Sequence, residues 1–338
     1  MSICIADLFC GIGGVSEAVR HWHAPTNNNG GPAVSHAADS GPNVVTAIDI
    51  DQSVTALYAQ NHGISPRCCT IESLSNVATD ETGPIDIWWM SPPCQPYTVR
   101  GFRRGSADPR SQALARLIQL LPRELPTLLG LENVPAFRGS QHHHELKRVL
   151  TGCGYVTREY VICPTDWGIP MRRKRFYLLA SRDPTSISEL TPAPETYALN
   201  DFVDETAWND ESLIVDRQFW SRYESAISIV DVDDPNAITS CFTSAYGKSP
   251  VRSGSYLRCR ARNQIRRFSA DEIAALMGFR QGFFSSCDLR QRSRYRLIGN
   301  SLPVYVIREL LKSLLPDDCI DPVHWFPAAV VRSVDNLH

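Results

Sequence analysis

The sequence predicts an α/β protein: a doubly wound, mostly parallel sheet with a smaller second domain. Three observations carry that expectation. An apolar run of strand length at 3–9 leads into Cys10-Gly11-Ile12-Gly13-Gly14, followed by helical spacing over 15–22. Strand, glycine turn and helix form the opening unit of a doubly wound domain, whose ligands bind beyond the carboxyl ends of the strands. Further strand-length apolar runs at 44–49, 85–90, 126–131, 155–162 and 176–180 are interleaved with helical stretches such as 52–61 and 111–121. From 181 to 234 the chain becomes irregular and acidic, with Asp201, Asp204, Glu205, Asp210, Glu211 and Asp216, and a smaller domain is expected to start there. The expected division is 1–180 with 297–338 for the main domain and 181–296 for the smaller one.

With 338 residues, 43% hydrophobic and 21% charged, the chain can bury a large core. A formal net charge of -2 gives no overall attraction to nucleic acid, so such binding must use local patches. Eleven cysteines include no Cys-x-x-Cys pair, and Cys68 and Cys69 are adjacent. Without a signal peptide or a long apolar span, reduced thiols in a cytoplasmic, non-membrane protein are expected. No zinc site is expected. His142-His143-His144 points in different directions on a helix and reads as a solvated helix start.

In chain order, the glycine turn allows close approach of a ligand to backbone; its plainer alternative is a tight connection. Residues 24–43, rich in Asn, Gly, Pro and Ser, read as a mobile surface insertion. Asp49 ends the second strand, where an acidic residue meets a ribose; the alternative, a helix cap, falls better to Asp51. Ile50 is placed to lie against an adenine. Thr70-Ile71-Glu72 is read as the end of a short third strand lining the same pocket.

The run at 84–90 delivers Ser91-Pro92-Pro93-Cys94-Gln95-Pro96-Tyr97-Thr98, and a basic loop with Arg100, Arg103 and Arg104 follows. Prolines fix φ and remove backbone donors, so Cys94 sits on a stiff turn. A buried small hydrophobe is the commoner fate of a cysteine; a thiol held between prolines at a strand's end suits a nucleophile better. The fifth strand ends at Glu132-Asn133-Val134, where a carboxylate is either a cap or an acid beside the thiol. Arg173 and Arg175 are two apart on a strand and share a face. They read as a basic edge or as guanidiniums holding a base and phosphate. Arginines crowd 248–267 and recur at Arg290, Arg292, Arg294 and Arg296. They are either solvated faces or phosphate contacts.

Asp7-Leu8-Phe9-Cys10-Gly11-Ile12-Gly13-Gly14, Pro92-Pro93-Cys94-Gln95-Pro96, Glu132-Asn133-Val134, Arg173-Lys174-Arg175 and Gly299-Asn300-Ser301 occur in this order. Together they resemble the cytosine-5 methyltransferase family across nearly the whole chain. Cys94-Gln95-Pro96-Tyr97-Thr98, Cys163-Pro164-Thr165-Asp166-Trp167-Gly168-Ile169-Pro170 and Cys241-Phe242-Thr243 resemble the DNA methyltransferase 2 branch, whose members methylate tRNA. The Phe9-Cys10 pair and Ser244-Ala245-Tyr246-Gly247 are instead similar to DNA enzymes.

The resemblance implies a Rossmann-like class I methyltransferase fold with a target-recognition domain, and S-adenosyl-L-methionine as cofactor. Phe9, Gly11, Ile12, Gly13, Gly14, Asp49, Ile50, Thr70, Ile71, Pro92, Asn300 and Ser301 would hold that cofactor. Cys94, Glu132, Arg173 and Arg175 would be catalytic, with Cys94 adding to carbon 6 of the cytosine. Gln95, Thr98, Arg100, Arg103, Arg104, Cys241, Phe242, Thr243, Tyr246 and Lys248 would meet the nucleic acid. Expected is a monomer acting on a tRNA anticodon-loop cytosine, in a tRNA-Asp-like substrate, where bases are already unstacked. A DNA cytosine-5 methyltransferase and a catalytically silent nucleic-acid-binding protein are the alternatives.

Overall fold

The computed structural model describes residues 2–20, 41–94, 97, 111–184, 187–191, 196–223, 225–285 and 287–315. The expectations for Gln95, Thr98, Arg100, Arg103 and Arg104, for the basic loop at 99–110 and for most of the insertion at 24–43 fall outside them; at its end that insertion is shorter than expected, since residues 41–43 already pair with the first strand.

Seven strands form the main sheet: β1 (Ser2–Leu8), β2 (Gly41–Asp49), β3 (Arg67–Cys68), β4 (Ile87–Met90), β5 (Leu128–Asn133), β6 (Val156–Ile162) and β7 (Arg175–Ser181). Their order is β3-β2-β1-β4-β5-β7-β6. β3, β2, β1, β4 and β5 pair in parallel, while β7 runs antiparallel to β5 and β6 antiparallel to β7. The order reverses direction between β1 and β4, and a crevice opens at such a switch point, beyond the strands' carboxyl ends. Phe9 follows the end of β1, and Ser91 follows the end of β4, its N–H bound to the Leu8 carbonyl at 3.1 Å. Both expected site loops therefore start from one place.

Parallel strands covered on both faces read as continuous apolar runs, and Ile87, Trp88, Trp89 and Met90 are all fully buried. The period of two sorts them by face. Ala6, Leu8, Trp88, Met90, Leu129, Leu131, Leu178 and Ala180 share one apolar cluster with Leu114, Leu117, Ile118 and Leu121 of α3 (Gln112–Glu124) and Leu146 and Leu150 of α4 (Gln141–Gly152). Asp7 falls in the opposite phase. Near it are α1 (Gly14–Arg20) and α2 (Gln52–His62), which supply Ser16 and Tyr58.

Two local expectations need correction. The third strand is only Arg67–Cys68; Ile71–Ser73 is a 3-10 turn, because Ile71 turns its side chain into the core rather than continuing the edge. The helix after Ser140 begins as expected, yet His142 and His143 are 4% and 6% exposed rather than solvated. Each has a polar partner that makes burial tolerable: the Tyr97 hydroxyl lies 2.9 Å from His142 Nδ1, and Glu159 lies 3.0 Å from His143 Nε2.

The chain packs as two compact units. One contains the described residues up to Ile162, Lys174–Leu190 and those from Val306 onward; the other contains Cys163–Arg173 and Thr191–Tyr305. The second unit is built on a three-stranded sheet, β8 (Ser228–Asp231), β9 (Ser255–Cys259) and β10 (Gln264–Arg267), in the order β10-β9-β8. Its acidic stretch forms 3-10 turns at Leu199–Phe202 and Glu205–Asn209, whose starts are capped by Asp201 and Asp204. Helices α5 (Arg217–Tyr223), α6 (Ala270–Met277), α7 (Gln291–Asn300) and α8 (Val304–Leu314) complete the described chain. Ser269 and Glu272 make a capping box at the start of α6. No helix among the described residues is long and apolar enough to cross a membrane.

Candidate active site

In the first unit the glycine turn has a left-handed backbone. Gly11 and Gly13 have φ of 52° and 89°, and Phe9 is itself left-handed at 63°. That region is costly for a residue with a side chain. The Cys10 N–H bonds the Ile48 carbonyl at 3.0 Å and Gly13 N–H bonds the Cys10 carbonyl at 2.9 Å. A Cβ at Gly13 would lie 2.3 Å from His62 Nε2. His62, whose side chain is 4% exposed, has Nε2 3.2 Å from the Ile12 carbonyl and Nδ1 4.0 Å from buried Glu17. This prop under the turn was not foreseen; its only signal was a histidine at the end of the predicted helix.

Asp49 ends β2 and accepts N–H groups from Gly11 at 3.0 Å and Asp51 at 2.9 Å, one on each oxygen. Each oxygen keeps a lone pair, so the carboxylate can still accept a ribose hydroxyl. Burial pushes its pKa above the ordinary carboxylate value, against its backbone donors. Asp51 caps α2, as expected, through Ser53 N–H. Ile50 is 68% exposed, an apolar surface free to take a flat ring. Asp7 is buried, its carboxyl raised well above the usual range first by burial and then by Asp49. Its Oδ2 has no hydrogen-bond partner among the described residues. The residues thus fit an adenosyl ligand: an open glycine turn, an acceptor at the tip of β2 and an exposed apolar side chain. Thr70 is exposed as that role requires, whereas the side chains of Ile12 and Ile71 are 1% and 4% exposed, leaving only their backbone to offer.

Cys94 is half-buried. Its loop is anchored on both sides. Asn133 Nδ2 donates to the Pro92 carbonyl at 3.1 Å, and Tyr97 N–H donates to the Cys94 carbonyl at 2.9 Å. Tyr97 itself is edge-on to Phe137 at 5.1 Å and bonded to His142. Cys10, by contrast, is 5% exposed and its thiol is pushed well up by burial, then by Asp7; it is an inert core cysteine. Glu132, the penultimate residue of β5, is 8% exposed, with Oε1 3.1 Å from Arg175 Nε. The β5–β7 register pairs Asn133 with Phe176, which brings Arg175 to that strand end. The structure therefore unites Glu132 with Arg175, and Asn133 with the Cys94 loop.

In the second unit Arg173 takes a different part from the one expected. It precedes β7 instead of sharing a strand face with Arg175, and it is 3% exposed. Its guanidinium donates to the carbonyls of Phe242 at 3.1 Å, Gly299 at 3.2 Å and Ser301 at 2.5 Å, with Cys241 Sγ at 3.7 Å. A cation committed to three buried carbonyls is a clamp on the Cys241-Phe242-Thr243 and Gly299-Asn300-Ser301 segments. The fit there is close: a Cβ on Gly299 would stand 2.3 Å from the Thr243 carbonyl carbon.

Phe242 and Tyr246 are also corrected. Both are 1% exposed, packed edge-to-face at 5.0 Å, with Phe268 and Tyr295 beside them. The Tyr246 hydroxyl donates to Ser255 O at 2.7 Å and accepts from Phe268 N–H at 2.9 Å. They are core, unable to touch nucleic acid. Half-buried Thr243 donates its N–H to the Ser253 carbonyl at 2.8 Å. Ser301 is 6% exposed.

The arginines of 248–267 are largely matched internally. Arg258 and Arg260 pair with Asp231, Arg262 with Glu205, and fully buried Arg266 with Glu272 at 2.6 Å. Lys248, Arg290, Arg292 and Arg296 line a pocket of about 490 Å³ with Ser244, Ser293 and Asn300. Arg294 turns away, bonded to the carbonyls of Leu289 and Cys287 and facing Asp271. Among the described residues no three His, Cys, Asp or Glu side chains gather to hold a metal, and no disulfide joins two cysteines.

Comparison with known proteins gives this arrangement its context. A tRNA (cytosine(38)-C(5))-methyltransferase of Schizosaccharomyces pombe is 30% identical, the match covering 92% of this chain and 96% of the relative. The solved structure of the S. pombe Dnmt2 methyltransferase is similar with a TM-score of 0.76 at 28% identity, over 93% of this chain and 98% of that one. A solved methyltransferase of Entamoeba histolytica, EhMeth, has the same fold, with a TM-score of 0.80 at 24% identity over 95% and 100% of the two chains. Residues 3–315 match the family described as C-5 cytosine-specific DNA methylase, and the chain belongs to that family of cytosine-5 methyltransferases.

Proposed function

We propose that this enzyme methylates carbon 5 of a cytosine in tRNA, in an anticodon loop of a tRNA-Asp-like substrate, with S-adenosyl-L-methionine as methyl donor. The observation that carries the tRNA reading is the 30% identity, over nearly both full lengths, to a tRNA (cytosine(38)-C(5))-methyltransferase. The segment Cys241-Phe242-Thr243 supports it. The cofactor supplies an electrophilic methyl group when bound. Phe9, Gly11, Gly13, Asp49 and Ile50 are the residues that would hold it.

Carbon 5 of cytosine is too electron-poor to take a methyl group unaided. Addition of the Cys94 thiolate to carbon 6 makes carbon 5 nucleophilic; after methylation a base removes the carbon-5 proton and the thiolate leaves. Asn133 fixes the loop that carries the thiol through the Pro92 carbonyl. Glu132, oriented by Arg175, shares a proton with ring nitrogen 3 as negative charge enters the ring. Arg173 acts on the backbone of its own unit rather than on the base. A loop cytosine reaches Cys94 with a small unstacking cost. We place the enzyme in the cytoplasm as a monomer.

Methyl transfer from labelled cofactor to bulk tRNA, digested and mapped to single nucleotides, tests this reading. Label confined to an anticodon-loop cytosine is expected; label on DNA alone would replace the reading with that of a DNA methyltransferase.

A further inference from the structure

We infer that Tyr97 and His142 are positioning residues of the reaction: their buried hydrogen bond ties the chain after Cys94 to the start of α4 and so fixes where the thiol stands. The inference rests on the Cys94 mechanism proposed above and adds a pair that acts through the loop rather than on the base.

The Tyr97 hydroxyl lies 2.9 Å from His142 Nδ1, in residues only 8% and 4% exposed. Tyr97 belongs to the apolar cluster of Leu114, Phe137 and Leu146, where a phenylalanine would fill nearly the same space with no polar atom to satisfy. Apolar burial is non-directional, whereas a hydrogen bond weakens steeply with angle. The hydroxyl and the imidazole therefore add orientation to the bulk. Burial pushes the His142 pKa down, against the nearby carboxylate of Glu145. The first turn of α4, with its backbone N–H groups, disfavours an imidazolium in the same sense as burial. The neutral ring keeps a lone pair, and the phenol O–H donates to it at Nδ1.

The start of α4 is a firm post for this bond. Ser140 caps the helix by accepting the His143 N–H at 3.2 Å. His143 in turn accepts the Gly139 N–H at Nδ1 and meets Glu159 at Nε2. Both holds on the loop come from one stretch of chain. Asn133, at the end of β5, donates to the Pro92 carbonyl before Cys94. Further along, Phe137 stands edge-on to the Tyr97 ring, and His142 then takes its hydroxyl. Tyr97 passes the hold to the nucleophile's own residue, its N–H bonded to the Cys94 carbonyl at 2.9 Å. Glu132, the proposed acid, opens the same stretch. Thiol and acid are thus referenced to one frame, running from the end of β5 to the first turn of α4.

The test compares the full chain with Tyr97→Phe, His142→Leu, the two combined, His142→Asn and, as a control at an exposed position of the same helix, His144→Ala. One readout is alkylation of Cys94 by iodoacetamide, followed by mass spectrometry of its peptide; the other is steady-state methyl transfer to tRNA. Tyr97→Phe and His142→Leu are each expected to lower kcat about 5- to 150-fold, the consequence of one unsatisfied buried partner. A released loop frees the half-buried thiol, so alkylation should rise about threefold or more. Methyl-donor affinity, measured by calorimetry, should stay at the parent value. The combined variant should lose no more than the worse single one, because both changes remove the same bond. The Asn carbonyl oxygen stands two bonds beyond Cβ, as Nδ1 does, so His142→Asn should return both readouts to within about threefold of the parent. A histidine that only filled space would show no such rescue. Parental alkylation and kcat in Tyr97→Phe would overturn the inference. Additive losses in the combined variant would do so too, as would a His142→Asn no better than His142→Leu, or an equal effect in His144→Ala. A parent that labels no tRNA would remove the substrate reading and leave alkylation to decide the anchoring. Labelled tRNA with a parental Tyr97→Phe would keep that reading and remove the anchoring.

Discussion

Asn133→Ala isolates the link between the fold and the Cys94 loop. Asn133 is 1% exposed, and its amide nitrogen donates to the buried Pro92 carbonyl two residues before Cys94. Alanine removes the donor and leaves that carbonyl unsatisfied, a loss of about 1–3 kcal/mol. If the loop answers by moving, the same energy appears in the barrier, a fall in kcat of about 5- to 150-fold. The KM for the methyl donor should stay near the parent value, because the glycine turn and Asp49 are bonded to each other and not to Asn133. Asn133→Asp sharpens the test through its sign. An ionised carboxylate presents only acceptors to the Pro92 carbonyl, while the protonated form can donate. Burial raises the folded-state pKa above the unfolded one, so the deficit is small below the unfolded value and grows as pH rises through the folded one. Steady-state kinetics on tRNA and thermal unfolding, each across pH, read both effects. An alanine variant with parental kcat and melting temperature would refute the anchoring role.

Three further outcomes are expected. Glu272→Ala strands fully buried Arg266 and removes the acceptor for the Asp204 and Ser269 N–H groups, which should cost about 3–5 kcal/mol by chemical denaturation. Replacing both charges with apolar residues of similar size should recover only the part owed to the stranded Arg266, because the Asp204 and Ser269 N–H groups stay without their acceptor. Gly13→Ala forces a Cβ against His62 at a φ of 89° and should cost about 1–3 kcal/mol while weakening binding of the methyl donor, measured by calorimetry. Because the Asp49 pKa is raised, donor affinity should be full above that pKa and decline as pH falls through it, in a range above that of an ordinary carboxylate; Asp49→Asn should flatten the dependence.

The sheet was legible because its strands are buried on both faces and so read as unbroken apolar runs, and because the glycine turn marks where β1 ends. The turn after β4 was legible through Pro92, Pro93 and Cys94, and the place of Glu132 near the end of β5 through the apolar run before it. What eluded the sequence was the direction of side chains governed by distant partners. Arg173 looked like a base-holding cation until three carbonyls from beyond position 240 were seen to occupy it. Phe242 and Tyr246 sit in a signature segment, yet the packing of Phe268 and Tyr295 makes them core. His142 and His143 looked solvated because Tyr97 and Glu159, which make their burial possible, are far away in sequence. The crowded arginines of 248–267 could not be told from phosphate ligands without seeing Asp231, Glu205 and Glu272 opposite them.

The central claim is that Cys94 is the nucleophile of a tRNA cytosine-5 methyltransferase, and label transfer from S-adenosyl-L-methionine to tRNA and, separately, to DNA tests it most directly. The parent should label tRNA, and Cys94→Ala, with an unchanged melting temperature, should label nothing. Undiminished labelling by Cys94→Ala would remove the covalent mechanism, and labelling of DNA alone would contradict the tRNA substrate.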